Sequence, residues 1–96
     1  MFVVLLHYIK PVEEVDKHRP EHLKFLDECY ATGKFICSGR RNPVTGGVLL
    51  VNVDSLEEVK KIVQEDPYWR HQQAEYEFVE FTPSKYHPKF APFVEK

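Results

Sequence analysis

At 96 residues the chain has room for one domain, and a domain of that size buries only about 60–70% of the surface of its unfolded chain, so a partner subunit is expected to complete the core. A formal net charge of −2, with 13 basic and 15 acidic side chains interspersed, supplies no basic stripe and argues against nucleic acid as a partner. The apolar residues 1–9 lack the basic flank and cleavage site of a signal peptide and the ~20 apolar residues of a membrane span, which points to a cytoplasmic protein with no membrane partner.

Residues 2–9 are rich in β-branched and aromatic side chains, are closed by Pro11, and read as a strand buried on both faces. An amphipathic segment over residues 15–30 follows, with Gly33 as the expected C-cap. Pro20 inside it marks a kink or the first turn of the main helix, with residues 12–18 as a preceding turn. Residues 34–38 form a short strand, and the stretch from Gly39 to Gly47 supplies a turn region. Residues 48–53 are the second strongly apolar strand. Ser55 stands three before Glu58 as a capping box, and Leu56, Val59, Ile62 and Val63 recur at helical spacing until Pro67 ends the helix. Residues 74–81 are the last strand.

The order strand, helix, strand, strand, helix, strand makes two βαβ halves. Right-handed crossovers then give an α+β, ferredoxin-like βαββαβ domain over residues 1–83: a four-stranded antiparallel sheet, order 4-1-3-2, with two helices on one face. Glu75, Glu77 and Glu80 suit an edge strand, as does Lys34. The apolar strands one and three offer side chains to both sheet faces, so the sheet of a second subunit is expected on the uncovered one, giving a dimeric α+β barrel. The aromatic tail, residues 84–96, is expected as an arm against its own or the partner subunit.

His22 is the residue out of place. It sits near the centre of the apolar arc of Val15, Leu23, Phe25, Leu26, Cys29 and Tyr30, where an imidazole without a partner costs about 1–3 kcal/mol. Asp66, expected just beyond the second helix, is the candidate partner. A carboxylate on one ring nitrogen would fix the tautomer and leave the other nitrogen as an acid or base; the same pair could serve ligand binding alone, or only the core. Ser38 and Arg40 at the end of the second strand could hold a small carboxylate or enolate, or could be a solvated hairpin turn with Arg41. Arg19, one turn before His22, could reach the same rim or pair at the surface, and Tyr8, Tyr68 and Trp69 could wall a pocket or simply pack. His18 and His22 have metal-ligand spacing, but the glutamate of a metalloprotease helix is absent; no metal and no cofactor are expected. Cys29 and Cys37 read as two reduced, buried thiols, and His7, His71 and His87 have no partner recognisable in the sequence.

Taken in order and at these spacings, Arg19-Pro20-Glu21-His22-Leu23, Gly33-Lys34-Phe35 leading to Ser38-Gly39-Arg40, Thr45-Gly46-Gly47 and Asp66-Pro67-Tyr68 resemble the YciI-like (YCII-related) family. The resemblance implies a dimeric ferredoxin-like fold and a site built on a histidine and an aspartate, here His22 and Asp66. It also implies kinship with muconolactone isomerases, with heme-binding or monooxygenase barrels and with one dehydrochlorinase branch. The chain departs from the pattern at Trp69-Arg70-His71, where smaller residues are more usual, and in the Tyr86-His87-Pro88 extension. Residues and resemblance together favour a small homodimeric enzyme acting on a small anionic organic molecule by lyase- or isomerase-like proton transfer. His22 and Asp66 would be the dyad, with Ser38, Arg40, Arg19 and Tyr68 holding the substrate. The alternative is a non-catalytic metabolite-binding or sensing module; a cofactor-assisted barrel of the monooxygenase type is a third.

Overall fold

Strand β1, Phe2–Tyr8, lies in the middle of the sheet and sends Phe2, Val4 and Leu6 inward to near-complete burial. The structure is a computed structural model that describes residues 1–95, so Lys96, the last residue of the expected arm, lies outside the described residues. Burying each such side chain is worth about 1.5–3 kcal/mol, so the alternation of β1 dictates which sheet face carries the helices. A single helical turn, α1 (Val12–Val15), and a 3-10 turn, Asp16–His18, lead into helix α2, Arg19–Ala31. Pro20 stands in the first turn of α2, where its missing N–H costs nothing, so the segment breaks at His18 rather than kinking. Helix α2 ends as expected: Gly33 takes a φ of +78°, and Thr32 Oγ1 donates to the Cys29 carbonyl.

Strands β2 (Phe35–Arg40) and β3 (Gly46–Val51) form the hairpin; helix α3 (Leu56–Val63) follows, with Ser55 Oγ accepting from the Glu58 N–H. Helix α3 stops at Val63, earlier than Pro67. That proline instead opens a one-turn helix, α4 (Pro67–Arg70), ahead of strand β4, Ala74–Glu80. The sheet is antiparallel throughout in the order β2-β3-β1-β4, the predicted order counted from the other edge. Val59 and Val63 of α3 and Leu26 and Cys29 of α2 close the core over the inward face.

Strand β2 holds one irregularity that bears on the site. Phe35 faces Val51, but the next register partner of Leu50 is Cys37, so Ile36 is an extra residue, a β-bulge. Beyond the bulge the facing inverts: Ser38 lies opposite the inward Leu49, and Cys37 opposite the outward Leu50. Cys37 is therefore exposed, which corrects the expectation of two buried thiols; Cys29 is buried.

On the face without helices, Val3, Leu5, Val48 and Leu50 are half-buried, while Val79 is 43% exposed. His7 stands among them with two partners, again unlike the sequence reading. Arg41 Nη1 donates to His7 Nδ1 at 3.1 Å, so the ring proton sits on Nε2, which donates to Glu77 at 3.0 Å. Past β4 the chain forms a 3-10 turn, Pro88–Phe93, with His87 Nδ1 accepting from the Lys89 N–H; Asn52 Nδ2 donates to the Phe93 carbonyl at 2.6 Å. No helix among the described residues is long and apolar enough to cross a membrane.

Candidate functional site

His22 lies on the inward stripe of α2 with Leu26 and Cys29, spaced four and three apart; Leu23, expected in the same stripe, is 44% exposed at its margin. Opposite, Asp66 is wholly buried. It is the N-cap of α4, with extended backbone, and its Oδ1 accepts from the Tyr68 N–H at 3.0 Å. The Asp-Pro pair favours this geometry, since the residue before a proline is pushed out of the helical region and the proline pre-sets the first helical φ.

The imidazole Nδ1 and Asp66 Oδ1 are 2.8 Å apart. Because a carboxylate can only accept, Nδ1 carries the proton and neutral His22 keeps a lone pair on Nε2, which has no hydrogen-bond partner among the described residues. The second carboxylate oxygen accepts from the Tyr76 hydroxyl at 2.7 Å. Asp66 thus receives three donors in a place without water-facing surface, and the imidazole it holds cannot swivel. Tyr68 adds a second restraint: its ring stacks on His22 with centroids 3.9 Å apart and planes 10° from parallel.

Beside the stacked rings lies a cavity of about 150 Å³ lined by Tyr8, Arg19, His22, Ser38, Arg40 and Tyr68, with leucines on its apolar side. All the residues expected to hold substrate meet there, and the bulge explains how: it turns Ser38 and Arg40 inward, toward His22. Asp66 stands behind His22 rather than at the cavity wall. The Tyr30 hydroxyl donates to Ser38 Oγ at 2.7 Å, and Arg40 Nη2 pairs with Asp16 Oδ1 while its guanidinium carbon lies 5.9 Å from the Tyr8 ring centroid. The volume is below the ~300–1,000 Å³ of sites for drug-sized ligands, so only a small molecule fits.

Trp69, Arg70 and His71, the departure from the family pattern, leave this cavity untouched. Trp69 packs edge-on to Tyr76 at 5.1 Å, Arg70 pairs with Glu65, and His71 stacks on His18 at 4.2 Å. That last contact also sets His18 outside the dyad. No group of three or more metal-ligating side chains is found among the described residues. A larger, more open groove of about 450 Å³ between α2 and α3 includes Cys29, but burial, together with the charges of Asp66 and Glu28, pushes the pKa of that thiol up to about 11, and the groove holds none of the residues expected in the dyad or around a substrate.

Tyr76, Tyr30 and Asp16 were missed by sequence reasoning. The signal for Tyr76 was present in β4, where Ala74, Tyr76 and Phe78 alternate toward the helices and only the tyrosine brings a polar tip that must find an acceptor. Nothing in the sequence pointed to the other two.

Burial, helped by the neighbouring Tyr8, pushes the pKa of Tyr68 up, and burial followed by the Asp66 charge and hydrogen bond pushes that of Tyr76 up as well. With Cys29 these are three acids that hold their protons to higher pH in the fold than in the unfolded chain, where they ionise near 9.0 and 10.0. Above about pH 9 the unfolded chain therefore binds fewer protons, and stability intact below that pH is lost as it rises. Urea midpoints are expected to hold steady from pH 7 to 8.5 and to fall through pH 10 and 11; a flat profile contradicts the burial of these groups.

A four-stranded antiparallel sheet with helices on one face, and a histidine–aspartate pair between helix and sheet, defines a small α+β domain with a buried polar site. The chain belongs to the YCII-related domain family, whose model matches residues 1–82. Among solved structures it is similar to the 5-chloro-2-hydroxyhydroquinone dehydrochlorinase of Burkholderia phenoliruptrix AC1100 in complex with 2,5-dihydroxybenzoquinone. Identity is 18% and the TM-score 0.70, over 84% of this chain and 93% of that one, a likeness of fold. A search of curated proteins finds no match.

Proposed function

We propose that this chain is a small-molecule enzyme of the lyase or isomerase kind, in which His22 moves a proton on a small anionic organic substrate. One observation carries the reading: a stacked imidazole has one nitrogen tied to a fully buried carboxylate and the other unpaired, beside a cavity flanked by two arginines. Asp66 is the orienting partner, Arg19 supplies the charge that attracts the anion, and Arg40, whose own charge is paired with Asp16, joins Ser38 and Tyr68 in the grip. A dehydrochlorinase on a similar fold is consistent with this chemistry. The protein works as a cytoplasmic homodimer whose subunits pair through the open sheet face, since Leu5, Val48 and Leu50 there have no helix to cover them.

A thermal-shift screen of small carboxylates comes first, because binding to the native state raises the melting temperature, by about 2.7 kcal/mol of stabilisation at a hundred times Kd. With a ligand in hand, its turnover is followed by NMR. His22→Gln is expected to lower turnover by roughly 10²–10⁴-fold while the ligand still stabilises the variant. Stabilisation without turnover in the wild type identifies a metabolite-binding module instead. For the assembly, Leu5→Lys is expected to convert a sedimenting dimer to monomer; a wild type that already sediments as a monomer refutes the pairing.

A further inference from the structure

Two side chains lining the cavity contain buried polar atoms with no hydrogen-bond partner among the described residues: the Tyr68 hydroxyl and Arg40 Nε. Tyr68 is 1% exposed, so solvent does not satisfy its hydroxyl, and an unpaired buried polar group costs about as much as a lost hydrogen bond. An unpaired buried group calls for an explanation, and a partner arriving in the cavity is one that serves both atoms. An arginine Nε–H can only donate, and the phenol, whose burial keeps it protonated, has a proton to give. Arg19 is half-buried and has no ion-pair partner among the described residues. The cavity is thus supplied with donors, and its side-chain acceptors are the His22 Nε2 lone pair and the hydroxyls of Ser38 and Tyr8, the last of which already faces the Arg40 guanidinium.

We infer that Tyr68 O–H and Arg40 Nε–H together receive the oxygen of an enolate, and that the substrate is a small anion bearing a carbonyl group next to an acidic C–H bond. The inference rests on the proton-transfer reading of the same site. His22 Nε2 takes the proton from carbon, the C–H electron pair becomes a C=C bond, and the carbonyl π pair moves onto oxygen. The negative charge arrives where two donors wait unpaired, so the interaction is stronger in the transition state than in the ground state. Returning the proton to another carbon of the enolate completes an isomerisation; expelling a leaving group from the β carbon, with the electron pair returned from oxygen, completes an elimination. In both, His22 gives up the proton it took. Arg19 binds the permanent negative charge of the substrate, and the stacked imidazole and phenol form a flat wall suited to a planar enolate.

The probe is 4-nitrophenol, a planar single-ring compound whose ionised form absorbs visibly. Wild-type protein is expected to bind it as the phenolate at a pH where the free probe is largely neutral. Tyr68→Phe, which removes the phenol donor and keeps the ring, is expected to weaken phenolate binding about 10–100-fold, the loss of one hydrogen bond to a charged acceptor, and Arg40→Lys, which keeps the positive charge but loses the Nε–H with the rest of the guanidinium, is expected to weaken it at least as much. Tyr68→Phe is expected to melt at the same temperature or higher, since it deletes an unpaired hydroxyl, so weakened binding cannot be put down to a damaged fold. Binding of the probe only as neutral phenol, or phenolate affinity unchanged in either variant, overturns the inference. Loss of turnover in His22→Gln beside unchanged phenolate capture in Tyr68→Phe overturns this inference alone and leaves the proton-transfer reading standing. Phenolate capture lost in Tyr68→Phe beside turnover indifferent to His22→Gln overturns both.

Discussion

Asp66→Ala is expected to destabilise the protein by about 3–5 kcal/mol, a large part of the roughly 5–15 kcal/mol that holds a domain of this size. The carboxylate is 0% exposed and receives the His22 Nδ1–H, the Tyr68 N–H and the Tyr76 hydroxyl. Deleting it strands three buried donors at once. It also removes the cap of α4, so the turn that presents Tyr68 to His22 loses its anchor. At about 4–8 °C per kcal/mol, the melting temperature should fall by well over 10 °C. Asp66→Asn keeps the shape and one acceptor oxygen but sets an amide N–H₂ against a donor; about 1–2 kcal/mol is expected. The imidazole beside it loses its fixed tautomer, so turnover should fall further than stability. Urea denaturation of both variants checks the ordering. An Asp66→Ala protein within about 1 kcal/mol of wild type would mean that the three donors find other partners, and the dyad would lose its structural basis.

Gly46→Ala is the second large effect. A Cβ at this position would lie 1.8 Å from the Leu6 carbonyl oxygen and 2.9 Å from its carbon, a clash with backbone rather than with a side chain that can swing away. Leu6 cannot retreat, because β1 is paired on both edges, with Gly47 on one side and Tyr76 on the other. The cost is expected to be about 3 kcal/mol or more, at or beyond the usual range for overpacking. The strain falls where Tyr8 leaves β1 and where β3 pairs with Arg40, so ligand-induced stabilisation should weaken as well. Gly39→Ala in the same hairpin is the control. A Cβ there meets nothing within 4 Å, and stability should change by less than about 1 kcal/mol. Equal melting temperatures for the two variants would sink the argument.

Much of this architecture could be read along the chain. Ser55 and Glu58, Gly33 and Pro20 mark helix ends through interactions a few residues long, and the alternation in β1 requires only that one face be buried. The meeting of His22 with Asp66 was also legible, because an imidazole on an apolar stripe must be satisfied and a carboxylate before a proline sat in the right place. Pro67 was half legible: a proline that stops one helix also makes a good first residue for the next, and sequence alone does not say which role it plays.

The elements, their order in the sheet and the pair at its centre were determined by the sequence itself, since each follows from local periodicity, caps and the need to satisfy a buried polar group. Ser38, Arg40, Arg19 and Tyr68 were named from the chain as neighbours of that pair, but what brings them there, and which other side chains join them, was decided only by the tertiary structure. A period of two inverts with a single inserted residue, and the bulge at Ile36 is what exposes Cys37 and turns Ser38 and Arg40 toward His22. Tyr76 reaches Asp66 only because β4 pairs with β1 in one register, and the unpaired state of Tyr68 O–H and Arg40 Nε is a property of packed surroundings that no window of sequence contains.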